Sequence, residues 1–275
     1  MYLVFDIGGT NIRVATSLDG KTINQSQTIP TPHDFTAAMM TLKELVQKLS
    51  SGQKIIAAAV GVRALNQTKD RLVNHPYFPM WVNEPLKESL QNILGAPVYL
   101  ENDAAMAGLG EATAGAGAGH QIVAYITIGT GVGGARIVDQ KIDVSAFGFE
   151  PGQQILSISN DLYPYYNGLG YLESFISGTA LEKRFKVKPE QLINPAIWDD
   201  VGKYLALGLN NTIVYWSPNI VVIGGGMASL IPLEAVQFHL KQTLKIFPEH
   251  PEIVKAKLGD RAGLLGALEY LRQKV

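Results

Sequence analysis

Three polar residues stand together in ENDAAMAGLGEA: Glu101, Asn102 and Asp103. They follow the apolar run APVYL and precede a stretch of small residues with helical character. One polar residue suffices to cap a helix, a role worth about 1 kcal/mol. Three in a row exceed that need. A carboxylate at the C-terminal end of a strand can also act as a general base or grip a ligand's hydroxyl groups. On these residues alone both readings stand. Glycine clusters form the second group: DIGGTN, TIGTGVGG and VIGGGMA each end an apolar run. Glycine pairs weaken strands, because they bring no side chain to pack and lose much entropy on ordering. Each cluster alone reads as a turn. Such a turn also lets backbone N–H groups approach a phosphate, and glycine-rich turns at strand ends are where α/β proteins hold nucleotides.

Two simpler phosphate motifs fail. Gly129, Gly131 and Gly134 satisfy G-x-G-x-x-G, but ARIVD after them is a strand pattern, whereas a dinucleotide site needs a helix there. GKT at Gly20–Thr22 looks like the end of a P-loop, yet the required earlier glycine is Ala15. The five histidines have no metal-ligand spacing.

The elements that must position these residues follow from periodicity. YLVFDIG and IRVATS read as strands. LDGKT reads as a hairpin turn in which Asp19-Gly20 supplies the positive φ angles. Phe35, Met39, Leu42, Leu45, Val46 and Leu49 recur at helical spacing, with Gly52 as the stop. KIIAAAVGV has the continuous apolar character of a buried strand. VNEPLKESLQNILG is a helix, APVYLEN a strand and DAAMAGLGEAT a helix. QIVAYITIGTGVGGARIVD then repeats the strand, glycine turn, strand order of the opening. A long helix over PAIWDDVGKYLALGLNNTIVYWS, the strand PNIVVIGGG and the helix AGLLGALEYLRQK complete the chain. Alternating strands and helices make an α/β protein. The order of elements occurs twice, which predicts two related lobes with a boundary near Met106.

Composition narrows the class. The chain has 275 residues, 47% of them hydrophobic, so it can build a core. A net charge of −1 with no long basic run gives no nucleic-acid footprint. No apolar run is long enough for a membrane helix, and MYLVFDIG lacks the basic start of a signal peptide. There is no cysteine, which excludes disulfides and thiolate metal sites. A cytoplasmic protein is expected.

DIGGTNIRVA, ENDAAMAGLGEA, ITIGTGVGGA and NIVVIGGG, in this order, resemble the ROK family of sugar kinases (repressor, open reading frame, kinase) over nearly the whole chain. The resemblance implies the two-lobed actin-like ATPase (ribonuclease H-like) fold with an interlobe cleft. It assigns residues 1–106, completed by a C-terminal helix at 262–275, to an N-terminal lobe carrying the phosphate turn and the sugar side. Residues 107–261 then form a C-terminal lobe carrying the second phosphate turn and the adenosine side. It further implies ATP-dependent phosphorylation of a hexose or N-acylhexosamine. Asp103 becomes the catalytic base and Asn102 a sugar ligand. Asp6 lies near Mg²⁺, bound through water. Gly8, Gly9, Thr10 and Asn11 line the phosphate site, and Gly129, Thr130, Gly131 and Gly133 meet the phosphates from the other lobe. Gly224, Gly225 and Gly226 border the adenosine.

The chain departs from the family pattern in three places. The Gly-Glu-x-Gly-His stretch reads FEPGQ, which keeps Glu150 and Gly152 but has Phe149 and Gln153 in place of glycine and histidine. The cysteine-rich zinc loop ending Cys-Leu-Glu reads YPYYNGLGYLES. It keeps Leu172 and Glu173 and puts Pro164, Tyr166 and Tyr171 near the cysteine positions. The Gly-Val-Pro-Gly loop reads GVRA at Gly61–Ala64. Glu150, Gln153 and Glu173 are expected to bind the sugar with Asn102, without zinc, the three aromatic and apolar residues packing in its place. Gln153 offers a donor and an acceptor but is a poor zinc ligand. Arg63 reads as a solvated charge. The family also contains repressors, which carry a winged helix-turn-helix ahead of the kinase-like part, whereas this sequence starts at the phosphate turn. A catalytically silent sugar sensor and a polyphosphate-dependent glucokinase are the alternatives. Many relatives are dimers, so a homodimer stays open.

Overall fold

A computed structural model describes residues 1–74, 78–158 and 169–275. The first elements are β1 (Tyr2–Ile7), β2 (Asn11–Ser17), β3 (Gln25–Pro30), α1 (Phe35–Ser50), β4 (Ala57–Val62), α2 (Leu86–Leu94), β5 (Val98–Glu101) and α3 (Asp103–Ala114). Next come β6 (Ile122–Ile128), β7 (Val132–Val138), β8 (Lys141–Ile142), β9 (Ile155–Ser157), β10 (Gly170–Tyr171), α4 (Leu172–Ile176) and α5 (Gly178–Phe185). The last are α6 (Pro195–Trp216), β11 (Ile220–Gly224), α7 (Leu233–Thr243), β12 (Glu252–Lys255) and α8 (Ala262–Arg272). The chain divides into two compact units. The first holds Met1–Ala114, Val144–Gly148 and Asp260–Val275, and the second holds Gly115–Asp143 and Phe149–Gly259. Met106, near which the sequence places the boundary, is buried in the middle of α3, and that helix stays whole in the first unit.

Each unit is built on a five-stranded mixed sheet. The first has the order β3-β2-β1-β4-β5 and the second β12-β11-β6-β7-β8. In both, the leading strand pairs antiparallel with its hairpin partner and parallel with a later strand: β1 with β2 and β4, β6 with β7 and β11. The doubled order of elements is thus a doubled sheet topology.

Strand alternation decides what the first sheet presents to its helices. Leu3, Phe5 and Ile7 join a core with Leu42 of α1 and Leu90 of α2. Val4, Ala15, Ala57 and Ala59 pack on the other face against Met106 of α3 and Leu264, Ala267 and Leu268 of α8. Asp6 shares the parity of Val4, so it emerges on the face covered by α3 and α8. The residues of β4 on that face are small: Ala57, Ala59 and Gly61. They let α3 sit close to the sheet, and a Cβ at Gly61 would stand 3.5 Å from Asp103 Cα and 3.3 Å from Met106 Cγ. The helices α3 and α8 also touch backbone to backbone, where a methyl group at Gly266 would overlap the Met106 carbonyl.

Local signals fix the helix ends. Asp34 caps α1 by accepting from the Ala37 N–H at 2.7 Å. Ser51 and Gly52, both at positive φ, stop it. The Asp19-Gly20 turn differs from expectation. Only Gly20 has positive φ (71°), and β2 and β3 are joined by a longer loop. The Asp19 carboxylate accepts from the Lys21 and Thr22 N–H groups, each at 2.8 Å, so it organises the turn through its side chain.

The second unit packs α4, α6 and α7 on its sheet through Leu172, Phe175, Leu205, Leu209, Ile223 and Val236. No helix among the described residues is long and apolar enough to cross a membrane.

The α3–α8 contact gives a stability prediction. Gly266→Ala should lower the unfolding free energy by about 1–3 kcal/mol through overpacking against a backbone carbonyl that cannot move alone. Gly129→Ala, with open space around the new methyl, should change it by less than about 0.5 kcal/mol. Urea unfolding of both variants checks the contrast.

Candidate active site

The first unit gathers Asp6, Asp103 and two arginines. Asp6 lies opposite Arg13 in the β1–β2 register. The Arg13 Nη1 is 3.3 Å from Asp6 Oδ2, and its Nη2 is 3.4 Å from Asp260 Oδ1. Gly263, in the first turn of α8, closes the other side; a Cβ there would stand 3.2 Å from Asp6 Cγ. Only 20% of the Asp6 side chain is exposed. Burial pushes its pKa from an ordinary 3.8 up to about 6; the neighbouring Asp103 carboxylate adds to the rise, and Arg13 opposes it. Asp103 opens α3. Burial raises its pKa too, against the Ala104 N–H that its Oδ1 accepts at 2.8 Å and the charge of Arg63. Arg63, expected as a solvated charge, is half-buried. Its charge acts on Asp103.

Asn102 performs the capping role left open by the sequence. Its Oδ1 accepts from the Ala105 N–H at 3.1 Å, and its carbonyl accepts from Met106 N at 2.9 Å. The cap uses the amide oxygen, and Nδ2 takes no part in it. The Gly8–Asn11 turn closes with Gly8 N donating to Asn11 O at 2.9 Å, and Gly9 and Thr10 are exposed at its tip. Thr31 ties the turn down. Its hydroxyl donates to Gly8 O at 2.8 Å and its N–H to Thr10 O at 2.9 Å.

The second unit brings the other two glycine clusters together. Met227 N donates to Ile128 O at 2.9 Å, which ties the turn after β11 to the turn after β6. Gly225 has φ of 86°, and a side chain there would strike the Ile128 backbone. Gly178 N, at the start of α5, donates to Gly129 O at 2.7 Å. Between these turns is a cavity of about 380 Å³ lined by Gly129, Thr130, Gly178, Thr179, Gly226 and Met227, with Glu182, Lys188, Pro189 and Glu190. Gly131 and Gly133 are part of the same hairpin, and Gly224 ends β11.

Glu150, Gln153 and Glu173 also belong to the second unit. The Val132 N–H donates to Glu173 Oε2 at 2.7 Å. The short helical turn at Pro151–Gln153 packs so closely that a methyl group at Gly152 would overlap Val132. Phe149 packs edge-on against Trp216 of α6, with ring centroids 5.0 Å apart. Glu150 and Gln153 are exposed and Glu173 is half-buried. Glu173 therefore braces the second glycine turn, a contact that the sequence reading missed. Tyr171 is half-buried, while Pro164 and Tyr166 lie outside the described residues. Among the described residues no group of three or more His, Asp and Glu side chains could hold a metal ion.

Arg13 and Thr31 were not singled out from sequence. A signal existed for Arg13: once the turn closes between Gly8 and Asn11, antiparallel pairing places residue 13 opposite residue 6. Thr31 had no local signal, because its contact follows the return of β3.

The crowding of Asp6 and Asp103 has a consequence for metal-free protein. A carboxyl whose folded pKa is raised binds its proton more tightly folded than unfolded. Its stabilising contribution is complete below pH 3.8 and is lost as pH rises through about 6. For Asp6 the full loss is worth about 3 kcal/mol. Asp103→Asn removes part of the repulsion, so it should unfold less readily than the native chain at pH 7.5, by about 1 kcal/mol or more, with the gap closing towards pH 4. Chemical denaturation in the presence of a chelator measures this. A variant less stable than the native chain at pH 7.5 contradicts it.

Comparison with known proteins places this arrangement. The chain is 28% identical over 307 residues to the glucokinase of Streptomyces coelicolor, covering 98% of this chain and 96% of the relative. It is 25% identical over 297 residues to the N-acetyl-D-glucosamine kinase of Salmonella newport, covering 97% and 98%. Its fold superposes with a TM-score of 0.80 on a ROK family glucokinase from Streptomyces griseus solved in complex with glucose and AMPPNP; that protein is 26% identical, with 99% of each chain covered. The sequence profile of the ROK family matches residues 2–274, so this chain belongs to the ROK family.

Proposed function

We propose that this protein is an ATP-dependent kinase of a hexose or N-acylhexosamine, with Asp103 as general base. The observation that carries the reading is the pair of neighbouring carboxylates in the first unit, Asp6 near the end of β1 and Asp103 at the start of α3. Burial raises the proton affinity of Asp103 and Arg63 restrains the rise. An ionised carboxylate with raised proton affinity is suited to accept a proton.

In the proposed reaction the sugar hydroxyl donates its proton to the Asp103 carboxylate. Its oxygen attacks the γ-phosphorus in line, the bond to the β–γ bridging oxygen breaks, and ADP leaves. Glu150, Gln153, Glu173 and the Asn102 amide bind the remaining hydroxyls. The backbone N–H groups of the turns at Gly8–Asn11 and Gly129–Gly133 stabilise charge on the phosphate oxygens, which is most of the catalytic task in such transfers. The cavity beside Gly226 suits the nucleoside in volume. Asp6 fits a hard cation, since it is a partly exposed oxygen donor in a locally anionic site, and Mg²⁺ binds through one or two carboxylates with water and phosphate completing its shell. Bound there through water, magnesium would neutralise donor charge. The proposal needs no zinc and places the enzyme in the cytoplasm.

A coupled ADP-release assay across a panel of hexoses and N-acylhexosamines tests the reading. At least one sugar should give turnover with ATP and Mg²⁺. Sugar binding without turnover would favour the silent sensor, and sugar phosphate formed from polyphosphate alone would favour the other donor. Asp103→Asn should lower kcat roughly 10²-fold or more while keeping sugar affinity. Glu150→Ala should raise the sugar KM far more than the ATP KM, because the wrong or weakened hydroxyl contact is felt by one substrate. Equal effects on both would mark a folding defect.

A further inference from the structure

The catalytic turn rests on a buried carboxylate that the proposed reaction does not use. Glu101 ends β5 with 5% of its surface exposed. Its Oε1 accepts the N–H of Asn102 at 2.9 Å, so the carboxylate holds the first peptide of the segment that carries Asn102 and Asp103. Its Oε2 meets the Lys69 ammonium at 2.5 Å. The Tyr270 hydroxyl, on α8, donates to the same carboxylate.

Lys69 reaches this position from a built loop. Ala64 and Lys69 both have left-handed backbone, with φ of 62° and 51°. That conformation favours glycine, and non-glycine residues keep it only where the surroundings enforce it. The enforcing contacts centre on Asn66. Its carbonyl accepts from Lys69 N at 3.0 Å and its Oδ1 from Asp70 N at 3.0 Å, while its Nδ2 donates to Thr68 Oγ1 at 2.8 Å and Asp70 Oδ1 at 2.9 Å. A bridge between Leu65 and the fully buried Leu72 anchors the base of the loop.

We propose that Lys69 and Glu101 form a latch between the 64–72 loop and the Asn102–Asp103 turn, and that Lys69 is a positioning residue for the base. The inference rests on the reading of Asp103 given above. A buried carboxylate that loses its cation is drawn to turn towards water, and that turn takes its Oε1 away from the Asn102 N–H. Displacement of a reacting group by about 1 Å can cost on the order of 10²-fold in rate. The effect falls on the acceptor side, because Asn102 and Asp103 serve the sugar.

The test is a double-mutant cycle on full-length protein by ADP release, with the best sugar from the panel. Lys69→Met should lower kcat/KM for the sugar by about 10- to 100-fold, leaving the ATP KM within about twofold. Lys69→Arg should restore activity to within about threefold, since a second cation can meet the carboxylate. In a Glu101→Gln background, where no buried charge needs a cation, Lys69→Met should cost less than about twofold. The latch is overturned if Lys69→Met leaves sugar kinetics unchanged, if its loss is equal in both backgrounds, or if both substrates' KM values rise together. Should Lys69→Met prove insoluble, recovery of soluble protein in the Lys69→Met/Glu101→Gln double variant supports the latch, and insolubility of both overturns it. Asp103→Asn, run alongside, separates the two layers. Full activity there overturns the base assignment and the latch with it, whereas an inactive Asp103→Asn with an unaffected Lys69→Met overturns the latch alone.

Discussion

Two neighbouring carboxylates, Asp6 near the end of β1 and Asp103 at the start of α3, are the constraint around which the first unit is arranged. Water would dissipate their repulsion, and α3 and α8 exclude most of it. The cost appears as proton affinity: burial first and the Asp103 charge second push Asp6 up to about 6, and burial raises Asp103 as well. The chain offsets the cost without removing it. Arg13 is fixed opposite Asp6 by strand register, Arg63 lends charge to Asp103, and the first peptide of α3 donates to the Asp103 carboxylate. A fully neutralising partner would make a more stable protein and a poorer base.

Rigidity is supplied by packing. Small residues on one face of β4 and the Gly266–Met106 contact let two helices settle on the sheet with little freedom. In the proposed reaction the base must be held within a fraction of an ångström of its target, and backbone-to-backbone contact would serve that need. The second unit uses the same means differently. Its glycine turns are stitched to each other through Ile128, Gly129 and Met227, and Glu173 ties one of them to α4.

Much of this was legible in the sequence, for physical reasons. Strand and helix periods report burial directly, so the doubled α/β order and the glycine turns could be read. Asp103 could be located because a helix must begin somewhere after APVYL and the polar run marks the place. What could not be read depends on long-range closure. The Thr31 clamp follows the return of β3, and the Lys69–Glu101 pair joins residues 32 apart in sequence. Nothing local in NQTKDR says that its lysine meets a buried carboxylate. The Asp19-Gly20 turn misled for a related reason: an aspartate favours a turn either through its backbone or through its carboxylate, and here the carboxylate takes the role.

The central claim is that the Asp103 carboxylate adds to the proton affinity that burial gives Asp6 in the folded, metal-free chain. Carbon-13 NMR of the side-chain carboxyls, followed from pH 3 to pH 8, measures it directly. The account predicts a carboxyl titrating near 6 in the native chain. In Asp103→Asn, the Asp6 midpoint should move down towards the ordinary carboxylate range. Titration of every carboxyl in the native chain within the ordinary range, or an Asp6 midpoint unmoved by Asp103→Asn, would contradict it.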